Sequence, residues 1–133
     1  MRFRRYAAWG LLTALLLLTA LFLPRRFVRD ADSVAINWVV YGGYGGEAVA
    51  LTQEQTEALQ DLIASAHVIR AYDYTGLRTP DTLVEISFLA DGQPGHLELG
   101  EADFMYHSAG VWHFFNIFQG EKFQREVLSV LGK

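Results

Sequence analysis

The sequence predicts an α+β fold: an N-terminal transmembrane helix followed by an antiparallel β-sheet of about 5–6 strands in hairpins, packed with two helices in the order ββ-α-ββ-ββ-α. Three observations predict it. Residues 7–23 (AAWGLLTALLLLTALFL) carry no charge, Asp91-Gly92 is flanked by alternating apolar residues, and two later segments repeat apolar residues at helical spacing. The 133 residues include no cysteine. That excludes a disulfide framework, a thiolate zinc site, a catalytic cysteine and a lipid-modified N-terminal cysteine.

The net charge of −4 is a sum over two unlike parts. Before Asp30 there are six arginines (Arg2, Arg4, Arg5, Arg25, Arg26, Arg29) and no acid; from Asp30 onward five basic residues face all fifteen acidic ones, a net −10. Residues 1–29 therefore read as a signal-anchor with its apolar core at 7–23, and 30–133 as one extracytoplasmic α+β domain. As a helix the uncharged run is roughly 25 Å long, against a hydrocarbon core of ~30 Å. Tyr6, Trp9, Phe22 and Phe27 sit where interfacial aromatics settle. Leu21 to Arg26 offers bulky and charged residues where signal cleavage needs small ones. The expectation is a single-pass protein of the cell membrane, N-terminus cytoplasmic and C-terminal domain outside. Secretion after cleavage is the alternative.

Ser33–Tyr41 (SVAINWVVY) has the β-branched and aromatic composition of a strand. Gly42-Gly43-Tyr44-Gly45-Gly46 breaks it, and 47–51 can return as a second strand. Thr52 and Gln55 fit a capping box, with Leu59, Leu62, Ile63 and Ala66 on one helical face. The helix should stop near 65–67, and periodicity fails from Val68 to Asp81, a long connection carrying Tyr72 and Tyr74. A two-residue turn at Asp91-Gly92 pairs Val84, Ile86 and Phe88 with Leu99, Leu97 and Gly95. A three-residue loop at Ser108-Ala109-Gly110 would oppose Phe104 and Tyr106 to Phe114 and Trp112. Phe123, Val127, Val130 and Leu131 mark a closing helix from about Gly120.

Candidate sites are few. Gly43-Tyr44-Gly45-Gly46-Glu47-Ala48 has the letters of a dinucleotide fingerprint, but no helix starts there to meet a pyrophosphate, so it reads as a hairpin loop. Tyr41 and Tyr44 on that loop, with Tyr72 and Tyr74, are the expected partner-binding residues, since loop aromatics favour interfaces. His107 and His113 fall on one face, diagonal across their hairpin, and a third ligand would make them a metal pair. Glu85 and Glu98 fall directly opposite one another on the polar face of the first hairpin, beside Ser87 and His96, where water screens them or a cation lies between. These five are candidates only: no metal, no cofactor and no catalytic residue is assigned. No G-x-S-x-G, H-E-x-x-H or calcium-loop motif occurs. A part at −10 repels nucleic acid.

The succession Leu51-Thr52-x-x-Gln55, then Leu83 to Phe88 with Asp91-Gly92, then Val111-Trp112-His113-Phe114 and a short final helix resembles small uncharacterised extracytoplasmic domains of Gram-positive bacteria. The resemblance implies a lipoprotein or single-pass protein with a domain of unknown function, and supplies no activity or site residues. The function expected is a membrane-anchored, non-catalytic binding or accessory domain, its partners the membrane through 7–23 and an unspecified protein. One alternative is a metal-dependent hydrolase using His107/His113 or Glu85/Glu98; another is a small membrane subunit whose helix is the functional element.

Overall fold

Turn chemistry sets the centre of the sheet. Asp91 and Gly92 both adopt positive φ, 52° and 76°, the backbone of a tight turn that matches the twist of the strands it joins. The computed structural model describes residues 2–26, 28–43, 45–70, 82–100, 104–108 and 112–133, with the backbone alone for 21, 22, 70, 104–108 and 112–115. The turn joins β5 (Val84–Ala90) to β6 (Gln93–Leu99), following α1 (Arg2–Phe22), β1 (Arg25–Arg26), β2 (Val34–Tyr41), β3 (Glu47–Ala48), α2 (Gln53–Ser65) and β4 (His67–Arg70). After them come β7 (Phe104–Ser108), β8 (Trp112–Ile117) and α3 (Gly120–Leu131). The fold is α+β.

The register is the one that the turn demands: Val84 pairs with Leu99, Glu85 with Glu98, Ile86 with Leu97 and Phe88 with Gly95. The strands form one eight-stranded antiparallel sheet in the order β1-β4-β8-β7-β6-β5-β2-β3. Strands β5 to β8 are a local meander. The chain passes between the two sides of that meander three times: from β1 to β2 and from β3 to β4, each six strand steps or about 29 Å, and from β4 to β5, four steps. Helix α2, about 20 Å long, and the extended residues before it make the β3–β4 crossing.

Helix α2 starts where its capping box forms. The Thr52 hydroxyl accepts from the Gln55 N–H at 3.1 Å, and Gln55 Oε1 accepts from the Thr52 N–H at 2.9 Å. Gln55 also donates from Nε2 to the Val130 carbonyl at 3.0 Å, tying α2 to α3. Leu59 and Ile63 of α2 and Phe123, Val127 and Leu131 of α3 share one core with Val39, Val84, Ile86, Phe88, Leu97 and Leu99. Each such side chain, fully buried, contributes about 1.5–3 kcal/mol before entropy is counted. The helices thus cover the sheet face that carries the inward residues of β5 and β6.

Three expectations are corrected. No helix among the described residues is long and apolar enough to cross a membrane, which overturns the transmembrane segment, the signal-anchor and the single-pass localisation. The physical reason lies in α1 itself: it takes Arg2, Arg4 and Arg5 into its first turns. The uncharged part, 7–22, then spans about 24 Å and is interrupted by Gly10, Thr13 and Thr19. Secondly, eight strands replace five or six. The extra ones are β1 and β4, paired Arg25↔Val68 and Arg26↔His67, and Val28 just after β1 is buried in the core. Thirdly, the second hairpin is offset by two residues from the expected register. Tyr106 pairs with Phe114, and Ser108 with Trp112, so Ser108 belongs to the strand and not to the loop.

The close approach at Phe88↔Gly95 yields a stability prediction. A Cβ on Gly95 would lie 2.5 Å from Phe88 Cζ, inside the packed centre. Gly95→Ala is expected to lower unfolding free energy by about 1–3 kcal/mol, read as a reduced urea midpoint at unchanged slope.

Candidate functional site

The register that places apolar residues under the helices places the alternate residues on the opposite face. There Glu85 and Glu98 are direct partners, and Ser87 pairs with His96 in the next row. Glu85 is 5% exposed and Glu98 7%, which corrects the expectation that water screens this pair. His96 Nε2 lies 3.4 Å from Glu98 Oε1 and 3.8 Å from Glu85 Oε2. One donor atom from each of the three residues falls within 4.8 Å of the others. Burying two like charges side by side is costly unless a positive charge sits where they converge. An imidazolium or a metal ion at the Nε2 position is such a charge.

A fourth residue completes the arrangement. Trp38 stands edge-on to the His96 ring, with centroids 5.6 Å apart and planes at 68°. Strict alternation from Val34 and Ile36 would put Trp38 on the helix side. The pairing shifts instead between Ile36↔Phe88 and Trp38↔Ser87. This bulge at Asn37 reverses the phase, so Val39 joins the core while Trp38 goes to the outer face, 41% exposed. Asn37 Nδ2 donates to Ser87 Oγ at 3.3 Å, which fastens the bulge to β5. Trp38 escapes a reading of the sequence by composition. The signal is the change of phase from Val34/Ile36 to Val39/Tyr41, masked because Trp38 and Val40 are apolar too.

The pairing continues these rows outward. Phe104 and Asn116 lie in register with Glu85–Glu98, and Tyr106 and Phe114 with Ser87–His96. Asn116 Oδ1 is buried and has no hydrogen-bond partner among the described residues. It lies two strands from Glu98, about 10 Å, too far to join the trio. No family model, curated protein or solved structure matches this chain. The site therefore stands on its geometry.

The remaining candidates fare differently. His107 and His113 are direct partners, not diagonal ones, in the row that carries Phe88 and Gly95. The structure does not bring them to the trio. Tyr41 is half-buried against the core, and its ring lies 4.9 Å from Lys133 Nζ, so a residue of this same chain meets it. Tyr44, Tyr72 and Tyr74 lie outside the described residues. A groove of about 510 Å³ between α2 and α3, lined by Ala58, Leu62 and Val130 with Asp61 and Glu126, has acids but no imidazole.

Deleting Asn37 leaves Ile36, Trp38 and Val39 to oppose Phe88, Ser87 and Ile86 in unbroken succession, so Trp38 should keep its place beside His96. The expected outcome is an unchanged near-ultraviolet tryptophan dichroism, with stability altered by no more than the loss of the Asn37–Ser87 hydrogen bond, about 0.5–1.5 kcal/mol. Loss of the tryptophan signal would show that the bulge itself, and not the pairing on either side of it, sets the position of Trp38.

Proposed function

We propose that this chain is a non-catalytic binding or accessory module whose ligand is a cation, held on the sheet face away from the helices. The observation that carries this reading is the convergence of two buried, directly opposed carboxylates on one imidazole nitrogen. Such a trio offers negative charge, a fixed backbone frame and little competing water, and these favour capture of a positive ligand. The neighbouring groups do not build a serine–histidine nucleophile. Ser87 is cross-strand from His96, but its hydroxyl oxygen accepts from Asn37 while His96 Nε2 faces the carboxylates. A serine activated by a histidine needs those two side chains in hydrogen-bond reach.

The test is a thermal-shift comparison of the full chain and Glu98→Gln, with calcium, magnesium, manganese, zinc or putrescine as separate probes. A ligand present at about 100 times its dissociation constant stabilises by ~2.7 kcal/mol, which raises the midpoint of a domain of this size by roughly 10 °C. At least one probe should do this for the native sequence and fail to do so for Glu98→Gln. No shift with any probe, or equal shifts in both proteins, rejects the reading.

A further inference from the structure

We propose that the Glu85–His96–Glu98 trio is a transition-metal site of the zinc class, selective against calcium and magnesium. This rests on the cation-binding reading and narrows it to one kind of ion. The donor set is the first argument. Imidazole nitrogen suits zinc, copper, iron and nickel, whereas calcium and magnesium take oxygen ligands. Calcium wants six to eight oxygens at 2.3–2.6 Å, more than two carboxylates supply when an imidazole fills part of the shell.

Geometry is the second argument. Zinc binds imidazole nitrogen at ~2.0–2.1 Å and carboxylate oxygen at ~2.0–2.2 Å. Two ligands of one tetrahedral ion are therefore about 3.4 Å apart. His96 Nε2 and Glu98 Oε1 stand at 3.4 Å, and Glu85 Oε2 is at 3.8 Å from the same nitrogen. The ligand atoms of the two glutamates lie within 4.8 Å of one another, so the Glu85 side chain must turn toward the other two to close the set around one ion. An octahedral shell with 2.1 Å bonds would need ligands about 3.0 Å apart.

The frame is the third argument, and it is independent of the acids. All three ligands lie within paired β-strands and not on a loop, with the two carboxylates more than nine-tenths buried. Trp38 packs against the imidazole in a T-shaped contact, which restricts the rotation of that ring. Two carboxylates neutralise one divalent ion, so its capture removes the like-charge repulsion across the hairpin. Three protein ligands leave one tetrahedral position to an external ligand such as water.

Cobalt(II) is the probe that separates the possibilities. The full chain, stripped with chelator, is titrated with cobalt and followed by visible absorption. The expected result is the intense band pattern of four-coordinate cobalt, saturating at about one ion per chain and displaced by zinc. Glu98→Gln and His96→Asn should each weaken cobalt binding at least about tenfold, whereas a His107→Asn/His113→Asn double variant should retain it. Unchanged far-ultraviolet dichroism of Glu98→Gln keeps the result from being a folding defect. A thermal shift with calcium, magnesium or putrescine but no four-coordinate cobalt bands would overturn the metal assignment and leave the cation reading standing. No response to any cation overturns both. Bands that persist in Glu98→Gln and vanish in the His107/His113 variant place the ion elsewhere and also overturn the assignment.

Discussion

The turn at Asp91-Gly92 is the constraint on which the other features hang. Two consecutive residues at positive φ leave one way of pairing β5 with β6, and that pairing acts on both faces at once. On one face it sets Phe88 over Gly95, where only the absence of a Cβ admits the ring, and lines up Ile86 with Leu97 beneath the helices. On the other it sets Glu85 against Glu98 with His96 one row away. A slip by one residue would bring a glutamate into the core and carry Phe88 out to the trio. Packing and the polar site are consequences of a single register.

The two faces act in opposite senses energetically. Apolar burial under α2 and α3 supplies the favourable free energy, and the trio opposes it by confining like charges at low dielectric. A sheet face that tolerates such a cluster needs rigid strands behind it, and β5 and β6 carry Val84, Ile86, Phe88, Leu97 and Leu99, all fully buried. The extra residue of β2 lets Val34 and Ile36 face the core while Trp38, two positions on, stands on the side of the cluster. Asn37, which makes that extra residue, is itself fastened to Ser87. Among the described residues the site is thus composed of two hairpin strands and one bulged neighbour.

What the sequence discloses follows from how local the cause is. The β5–β6 hairpin, the capping box at Thr52 and Gln55, and the α3 face of Phe123, Val127 and Leu131 are governed by residues within a turn or two of each other. They are legible, and so is the facing of Glu85 and Glu98. Strands β1 and β4 are two and four residues long and find partners more than forty residues away. No periodicity can accumulate over such lengths. The Tyr106↔Phe114 pairing differs from the expected one by a shift of two, which preserves alternation and so leaves the apolar pattern silent. Burial of the glutamates was not legible either, because exposure depends on what neighbouring strands bring. For α1 the run of leucines was plain, but the arginines and the threonine and glycine breaks that limit it act on a whole-helix average.

The ends of the sheet have a consequence of their own. Its two outermost strands are Arg25–Arg26 and Glu47–Ala48, each a single dipeptide and each bearing charge. Beyond Val40 and Tyr41, which β3 pairs, the border on that side is the rest of β2. The bulge at Asn37 breaks its regularity, and the Val34 and Val39 carbonyls are taken by Gln60 Nε2 and the Val49 N–H. Lateral growth of the sheet by recruitment of a foreign strand is thereby discouraged, which guards a β-rich chain against edge-to-edge polymerisation.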